Sequence, residues 1–405
     1  MKPIVRAGRM KPVHSDIRGP LFVEAMKRQK QGIDILKLNT GNPATFGFGL
    51  PDSIKNALME HMQDGVGYCD FKGMPQARQA ICDYETSKGI KGITPDDVFI
   101  GNGVSEVVSF ALTPLLNDGD EVLVPSPSYS LWGNSVYLED GKPVFYTCDE
   151  QANWYPDIQD IRSKITDKTK AIVIINPNNP TGVLYPKELL LEIIQIARES
   201  GLLIFADEIY DRLVMDGKQH ISLASLTEDV PVITLNGLSK SHCLCGYRCG
   251  WMVISGPREL TEDYRQGIIQ LTSLRLCANA MAQIVIPAAL DDMETPASMV
   301  RPGGRIYEQR EATVRELEKI DGLSFVKNDA AFYVFPKLDV KKFNITNDKQ
   351  FAHDLLDATN ILLVPGSGFD WKDPDHFRIV MLPQADILSD AIRRMGTFLD
   401  GYKQK

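Results

Sequence analysis

Two short runs, Ala171-Ile172-Val173-Ile174-Ile175 and Leu202-Leu203-Ile204-Phe205-Ala206, are apolar at every position. A strand with one wet face alternates polar and apolar side chains, so runs like these must be buried on both faces. Five further β-rich runs lie at 98–100, 121–124, 144–147, 232–235 and 251–254. Helical patterns, such as 104–116 and 186–199, separate most of them. Alternation of this kind predicts an α/β fold: a mainly parallel sheet of seven strands between layers of helices. Pro186 suits a helix start, where its missing N–H leaves no bond unmade.

Beyond residue 256 the pattern changes. A long helical region runs from 257 towards 289, with Gly267 as its weak point. A helix follows Arg301, then short strands near 332–335, 362–364 and 377–380, and a last helix from about 385. This predicts a second, smaller α+β unit. The expected division is a large unit at 51–300, a small unit at 301–405, and an irregular segment at 1–50 packed against the small one.

Charge and cysteine usage narrow the function classes. The chain carries 44 basic and 53 acidic residues, a formal net charge of -9. With no basic cluster to offset it, that balance repels a nucleic-acid backbone. The seven cysteines are odd in number and show no disulfide framework. Cys243, Cys245 and Cys249 are close together but form no CxxC pair, so no metal is expected. The N-terminus lacks the apolar core of a secretion signal, and no apolar run reaches membrane-spanning length. A cytoplasmic enzyme is the expectation.

In open α/β sheets, ligands bind beyond the carboxyl ends of the strands. Four loops of unusual composition fall there. Asn176-Pro177-Asn178-Asn179-Pro180-Thr181-Gly182 follows one apolar run, and Asp207-Glu208-Ile209-Tyr210 follows the other. Ser239-Lys240 follows the run at 232–235, and Gly101-Asn102-Gly103-Val104-Ser105 follows that at 98–100. Lys240 is the most informative. Partial burial and a nearby cation such as Arg248 would lower its pKa and make the amine nucleophilic. Taken alone, the segment leaves it equally readable as a solvated surface charge.

The wider pattern resembles the class I/II, fold-type I aminotransferases. Gly237-Leu238-Ser239-Lys240, with Arg248 eight residues on and then Gly250, matches that family's Schiff-base lysine motif. Gly41 in GNP, Asn179 in NPNNPTG, Asp207 and Tyr210 in ADEIY, and Arg378 in FRIV occur in the family's order. The resemblance implies pyridoxal 5'-phosphate bound at Lys240, which also acts as general acid and base. It implies that Asp207 pairs with the pyridine nitrogen and that Asn179 and Tyr210 bond the ring's phenolic oxygen. Tyr129 would stack on the ring. Gly103, Val104 and Ser105 at a helix start, with Arg248, would hold the phosphate. Tyr68 would reach that phosphate from a second subunit, making the enzyme a homodimer with shared sites. Many relatives have Ser or Thr where this chain has Gly237; Ser239 is the available substitute. Arg378, with Asn179 and Gly41, would bind the substrate carboxylate.

Features such as GNPATFGF, GYCDFKG, LRLCAN and PGGR are most similar to the bacterial glutamate–pyruvate (alanine) branch. That implies amino-acid and 2-oxo-acid substrates, with Arg18 as the candidate for glutamate's side-chain carboxylate. Three alternatives stay open: an aminotransferase for aromatic or branched-chain substrates, a β-lyase using the same cofactor, and a transcription regulator with an aminotransferase-like domain. The last needs a DNA-binding domain ahead of Gly41, for which there is no room before so early a motif.

Overall fold

The computed structural model describes residues 2–405. Its central sheet has eight strands: β1 (Val98–Asn102), β2 (Glu121–Ser126), β3 (Lys142–Asp149), β4 (Tyr155–Pro156), β5 (Thr169–Ile175), β6 (Leu203–Asp207), β7 (Val232–Gly237) and β8 (Cys249–Ser255). Their order across the sheet is β1-β8-β7-β6-β5-β2-β3-β4. The pairs from β7 through β6, β5 and β2 to β3 are parallel. β8 runs antiparallel to both its neighbours, and β4 is antiparallel to β3. All seven predicted runs form strands. The eighth, β4, is two residues long and carries too little sequence to show a pattern.

The doubly apolar runs behave as their composition requires. Ala171, Val173, Ile175 and Phe205 enter one hydrophobic cluster. Ile172, Ile174, Ile204 and Ala206 enter another. Neighbouring residues thus serve opposite faces of one sheet, and each large aliphatic side chain contributes about 1.5–3 kcal/mol by leaving water.

Helix ends depart from the sequence pattern for local reasons. The helix Lys187–Ser200 begins one residue after Pro186, which is its N-cap, and ends on Gly201 in the left-handed region. The helix Val104–Leu112 stops short of 116 because Pro114 cannot continue the hydrogen-bond ladder. Gly267 does not weaken its helix, Arg258–Arg275, but lets it lie close against Pro114. The break comes at Leu276, at φ +76°. Beyond it the chain bends by 120° into the helices Ala280–Ile284 and Ile286–Asp291. Among the described residues, no single helix is long and apolar enough to cross a membrane.

The N-terminal segment joins the C-terminal core. Leu36–Lys37 pairs in parallel with Ile361–Leu362, and Leu38 packs among Leu317, Phe351, Phe377 and Ile379. Phe377–Val380 lies between Tyr333–Val334 and Val364–Pro365 in a three-stranded sheet. Val380 N–H donates to the Leu38 carbonyl at 3.1 Å. That contact carries Gly41 and Arg378 towards the same place.

Candidate active site

The carboxyl edge of the large sheet gathers most of the predicted residues. Asp207 ends β6, Asn179 follows β5, and Tyr129 follows β2. Gly103 and Val104 join β1 to its helix. β7 ends at Gly237 and passes into a single helical turn, Leu238–Ser241, that carries Lys240. Because β8 is antiparallel, it starts at this same edge, and Arg248 stands immediately before it. The eight-residue spacing from Lys240 to Arg248 is therefore one hairpin connection.

Lys240 points at the N-terminal segment, where its Nζ donates to the Gly41 carbonyl at 2.9 Å. Phe332 lies under the amine, 5.9 Å from nitrogen to ring centre. Burial pushes the ammonium's pKa down, but the neighbouring Tyr333, Cys245 and Tyr129 push it up, and the net direction is upward. This corrects the expectation of a lowered value. The cation acting on Lys240 is Arg378 rather than Arg248, whose guanidinium turns outward to the Cys245 carbonyl at 3.0 Å.

Two buried charges in the pocket lack a counter-charge among the described residues. Asp207 accepts from the Trp132 indole Nε1 at 3.1 Å and from the Ile209 N–H at 3.4 Å, and among the described residues it forms no ion pair. Burial pushes its carboxyl up to about 6. Arg378 donates from Nη1 to Asn179 Oδ1 at 2.9 Å and from Nη2 to the Asn39 carbonyl. Its Nε is buried without a partner, and among the described residues no carboxylate pairs with the guanidinium. An uncompensated buried charge is costly. A cleft that holds one of each sign is built for a ligand with the opposite pair.

The turn before the helix Val104–Leu112 is glycine for a geometric reason. Gly103 sits at φ +85°, and a Cβ there would collide with the Arg248 guanidinium. Arg248 itself is left-handed at φ 55°, and the close packing aims it across the helix start. Gly237 has an equally plain cause. It pairs with Gly250 across β7 and β8, and a Cβ would sit 2.5 Å from the Cys249 carbonyl. A serine there would push the two strands apart, so the missing hydroxyl is excluded by packing. Ser239, its expected substitute, is partly buried, and its carbonyl accepts from Cys245 Sγ at 2.9 Å.

Three predicted residues lie further out. Ser105 is exposed at the helix start. Tyr68 is 85% exposed. Arg18 is exposed and lines a cleft of about 460 Å³ with Lys37, Thr40, Asn42 and Phe46, beside Gly41.

Two pocket side chains carry no motif. Tyr333 Oη lies 2.8 Å from Tyr210 Oη, and Trp132 holds Asp207. Tyr333 is hidden in the apolar run AAFYVF, and Trp132 reads as helix core. Position alone gave the only clue: Trp132 follows Tyr129 by three residues, and Tyr333 pairs with Val380 beside Arg378.

Comparison with known proteins agrees with this geometry. The family model for aminotransferase class I and II matches residues 33–392. The chain belongs to this family. The glutamate-pyruvate aminotransferase AlaA of Haemophilus influenzae is 50% identical over 404 residues, covering 100% of both chains. The crystal structure of an aminotransferase from Escherichia coli superposes with a TM-score of 0.98 at 47% identity, covering 100% of both. An alanine aminotransferase from Pyrococcus furiosus gives 0.92 at 40% identity, covering 98% of this chain and 100% of that one. Class I and II aminotransferases depend on pyridoxal 5'-phosphate. The residues present fit that group: Asp207 offers the carboxylate a protonated ring nitrogen needs, and Lys240 a primary amine within the same cleft.

Proposed function

We propose that this aminotransferase exchanges the amino group between L-alanine and 2-oxoglutarate, yielding pyruvate and L-glutamate. One observation carries the reading: Lys240 lies in a pocket with an anion that lacks a cation, Asp207, and a cation that lacks an anion, Arg378. The names of the 45–50% identical relatives support the choice of substrates.

When bound, the cofactor would supply an electron sink for deprotonation of the substrate α-carbon. The chain supplies everything else. Asp207 keeps the ring nitrogen protonated. Trp132 holds that carboxylate through Oδ2, and the Ile209 N–H reaches its Oδ1 at 3.4 Å. Tyr210 donates to the ring oxygen. Asn179, whose carbonyl oxygen is occupied by Arg378, uses its amide N–H for the same purpose. Tyr129 would stack on the ring. Gly103, Val104 and Ser105 offer donors at a helix start, and Arg248 a guanidinium, to the phosphate. Arg378 grips the substrate α-carboxylate by its planar fork, and Gly41 leaves room for it. Lys240 takes the α-proton as base and returns it as acid, and the Gly41 carbonyl holds its amine between steps. Arg18, on the cleft beside Gly41, would receive the side-chain carboxylate of glutamate.

The working unit is a homodimer in this reading. Met59, Met62, Val66, Tyr68, Leu274 and Leu276 are large, apolar and exposed. Arg275 ties the last of these segments to the first by donating to the Phe71 carbonyl at 3.1 Å. Such a patch suits burial against a second copy, with Tyr68 of the partner subunit completing the phosphate site. The large unit at 51–300 then binds the cofactor, while 1–50 and 301–405 close over the substrate.

A half-reaction spectrum tests the reading. Purified holoenzyme should lose its cofactor absorption band on adding L-alanine or L-glutamate and regain it with pyruvate or 2-oxoglutarate. A band unaffected by either amino acid overturns it. A faster response to phenylalanine or valine would move the assignment to the aromatic or branched-chain class.

A further inference from the structure

Tyr210 and Tyr333 share one hydrogen bond, 2.8 Å from oxygen to oxygen. Both side chains are 2% exposed, and among the described residues neither hydroxyl has another partner. Two hydroxyls bring two protons, and one shared bond uses only one of them. The second proton has no acceptor in the protein, yet a buried O–H without one costs about 1–3 kcal/mol. It therefore points to an acceptor that arrives with a ligand.

The surroundings say which hydroxyl presents it. The Arg378 guanidinium lies 4.5 Å from the centre of the Tyr333 ring. A cation over a phenol draws electron density from the ring and favours that hydroxyl as the donor of the shared bond. Tyr210, as acceptor, then turns its own proton into the pocket. The position of Tyr333 is fixed on two further sides. Phe332 meets its ring at 4.8 Å between centres. Gly41, whose carbonyl takes the Lys240 amine, leaves the space its hydroxyl fills, since a Cβ at 41 would collide with Tyr333 Oη.

Resting on the proposed use of pyridoxal 5'-phosphate, we propose that Tyr333 is a positioning residue: its hydroxyl binds that of Tyr210, so that the two phenols act as one unit presenting a single O–H to the cofactor's ring oxygen. Chained hydrogen bonds strengthen one another, so Tyr210 donates more strongly with Tyr333 behind it than alone. Stronger donation favours the anionic ring oxygen. Loss of Tyr333 weakens that preference without removing any group that touches the ring.

The experiment is a pH titration of the cofactor absorption band in holoenzyme, with circular dichroism to confirm folding. In Tyr333→Phe the midpoint should rise by on the order of half a pH unit. Tyr210→Phe should raise it further, and the double variant should match Tyr210→Phe alone. A folded Tyr333→Phe protein with an unmoved midpoint overturns the inference. So does a Tyr333→Phe shift that persists undiminished in the Tyr210→Phe background. If Tyr333→Phe fails to fold, 3-fluorotyrosine incorporated at position 333 supplies the second arm. A stronger donor there should lower the midpoint, and no change or a rise overturns the inference. Wild-type protein that shows no titrating band sinks the cofactor reading itself, which separates the two failures.

Discussion

Asp207 and its near neighbours Glu208 and Asp211 are all buried, within five residues of chain, yet they live in opposite electrostatic worlds. Behind the sheet edge, Lys88 Nζ meets Glu85 Oε2 and Glu208 Oε2 at 2.7 Å each and Asp211 Oδ2 at 3.1 Å. Ser222 and the Leu223 N–H bond Glu208, while Tyr84 and Asn236 bond Asp211. Burial pushes Asp211 upward, but Lys88 outweighs it and the net direction is down. Glu85, buried with excess acid around it, is pushed up. Each carboxylate of this cluster has the Lys88 ammonium within 3.1 Å. Asp207 has only two neutral donors, the Trp132 indole and the Ile209 N–H. A charge answered by its own chain fixes structure; one left unanswered waits for something from outside.

That contrast can be broken by substitution, and the largest effect should come from the pocket. Lys240→Ala should lower turnover by at least about 10⁴-fold, leaving the thermal melt of the apoprotein near wild type. A variant that keeps more than a hundredth of the activity would place the proton transfer elsewhere. Lys88→Met should do the reverse. Three buried carboxylates lose their shared cation, at a cost of about 3–5 kcal/mol in denaturant unfolding. A stability loss below about 1 kcal/mol would mean that water already screens the cluster.

Asp207 gives a pH test with a definite sign. Its folded-state carboxyl lies at about 6, against 3.8 for the free group. The apoprotein therefore holds the proton more tightly when folded. This contribution is fully present below about pH 4 and lost as pH rises through about 6, on the order of 3 kcal/mol in all. Relative to Asp207→Asn, apo wild type should thus lose stability across that window. Added cofactor should abolish the difference by supplying a cation. Parallel profiles for the two apoproteins would show that Asp207 is already compensated.

Arg378→Lys should reduce kcat/KM for alanine by roughly 10²-fold, since an ammonium cannot form the planar double contact. A loss confined to KM would mean that the arginine binds ground and transition states equally. The smallest effect belongs to an exposed pair. Lys91 meets Glu228 at 2.8 Å with both side chains largely in water. Lys91→Ala should leave both activity and melting temperature unchanged within error.

How legible these regions were in the sequence follows from the same contrast. The sheet was readable because apolar runs at 171–175 and 202–206 have no other stable use. The motif residues were readable as polar groups placed at strand ends, where an apolar core gains nothing from them. Lys88, by contrast, resembles any surface lysine, since its three carboxylates come from a helix and a loop about 120 residues apart. Tyr333 was hidden because its phenyl ring satisfies the apolar strand pattern while its hydroxyl serves the pocket. The helix break at Leu276 has no glycine or proline to announce it; Arg275 is drawn aside by Glu106 at 2.5 Å and by the Ile100 carbonyl.

The indole of Trp132 also gives the pocket an optical reporter. The chain has four tryptophans, Trp132, Trp154, Trp251 and Trp371, and only Trp132 bonds a residue of the proposed ring-binding set. Trp154 and Trp371 stack edge-on at 5.2 Å, and Trp251 is tied to Glu85 in the structural cluster. A chromophore seated on Asp207 would accept excitation energy from Trp132 at close range. Loading the apoprotein should therefore quench a discrete share of its ultraviolet emission, and Trp132→Phe should remove most of that share. Occupancy of the site could then be followed in real time by fluorescence, without turnover and without a coupled assay.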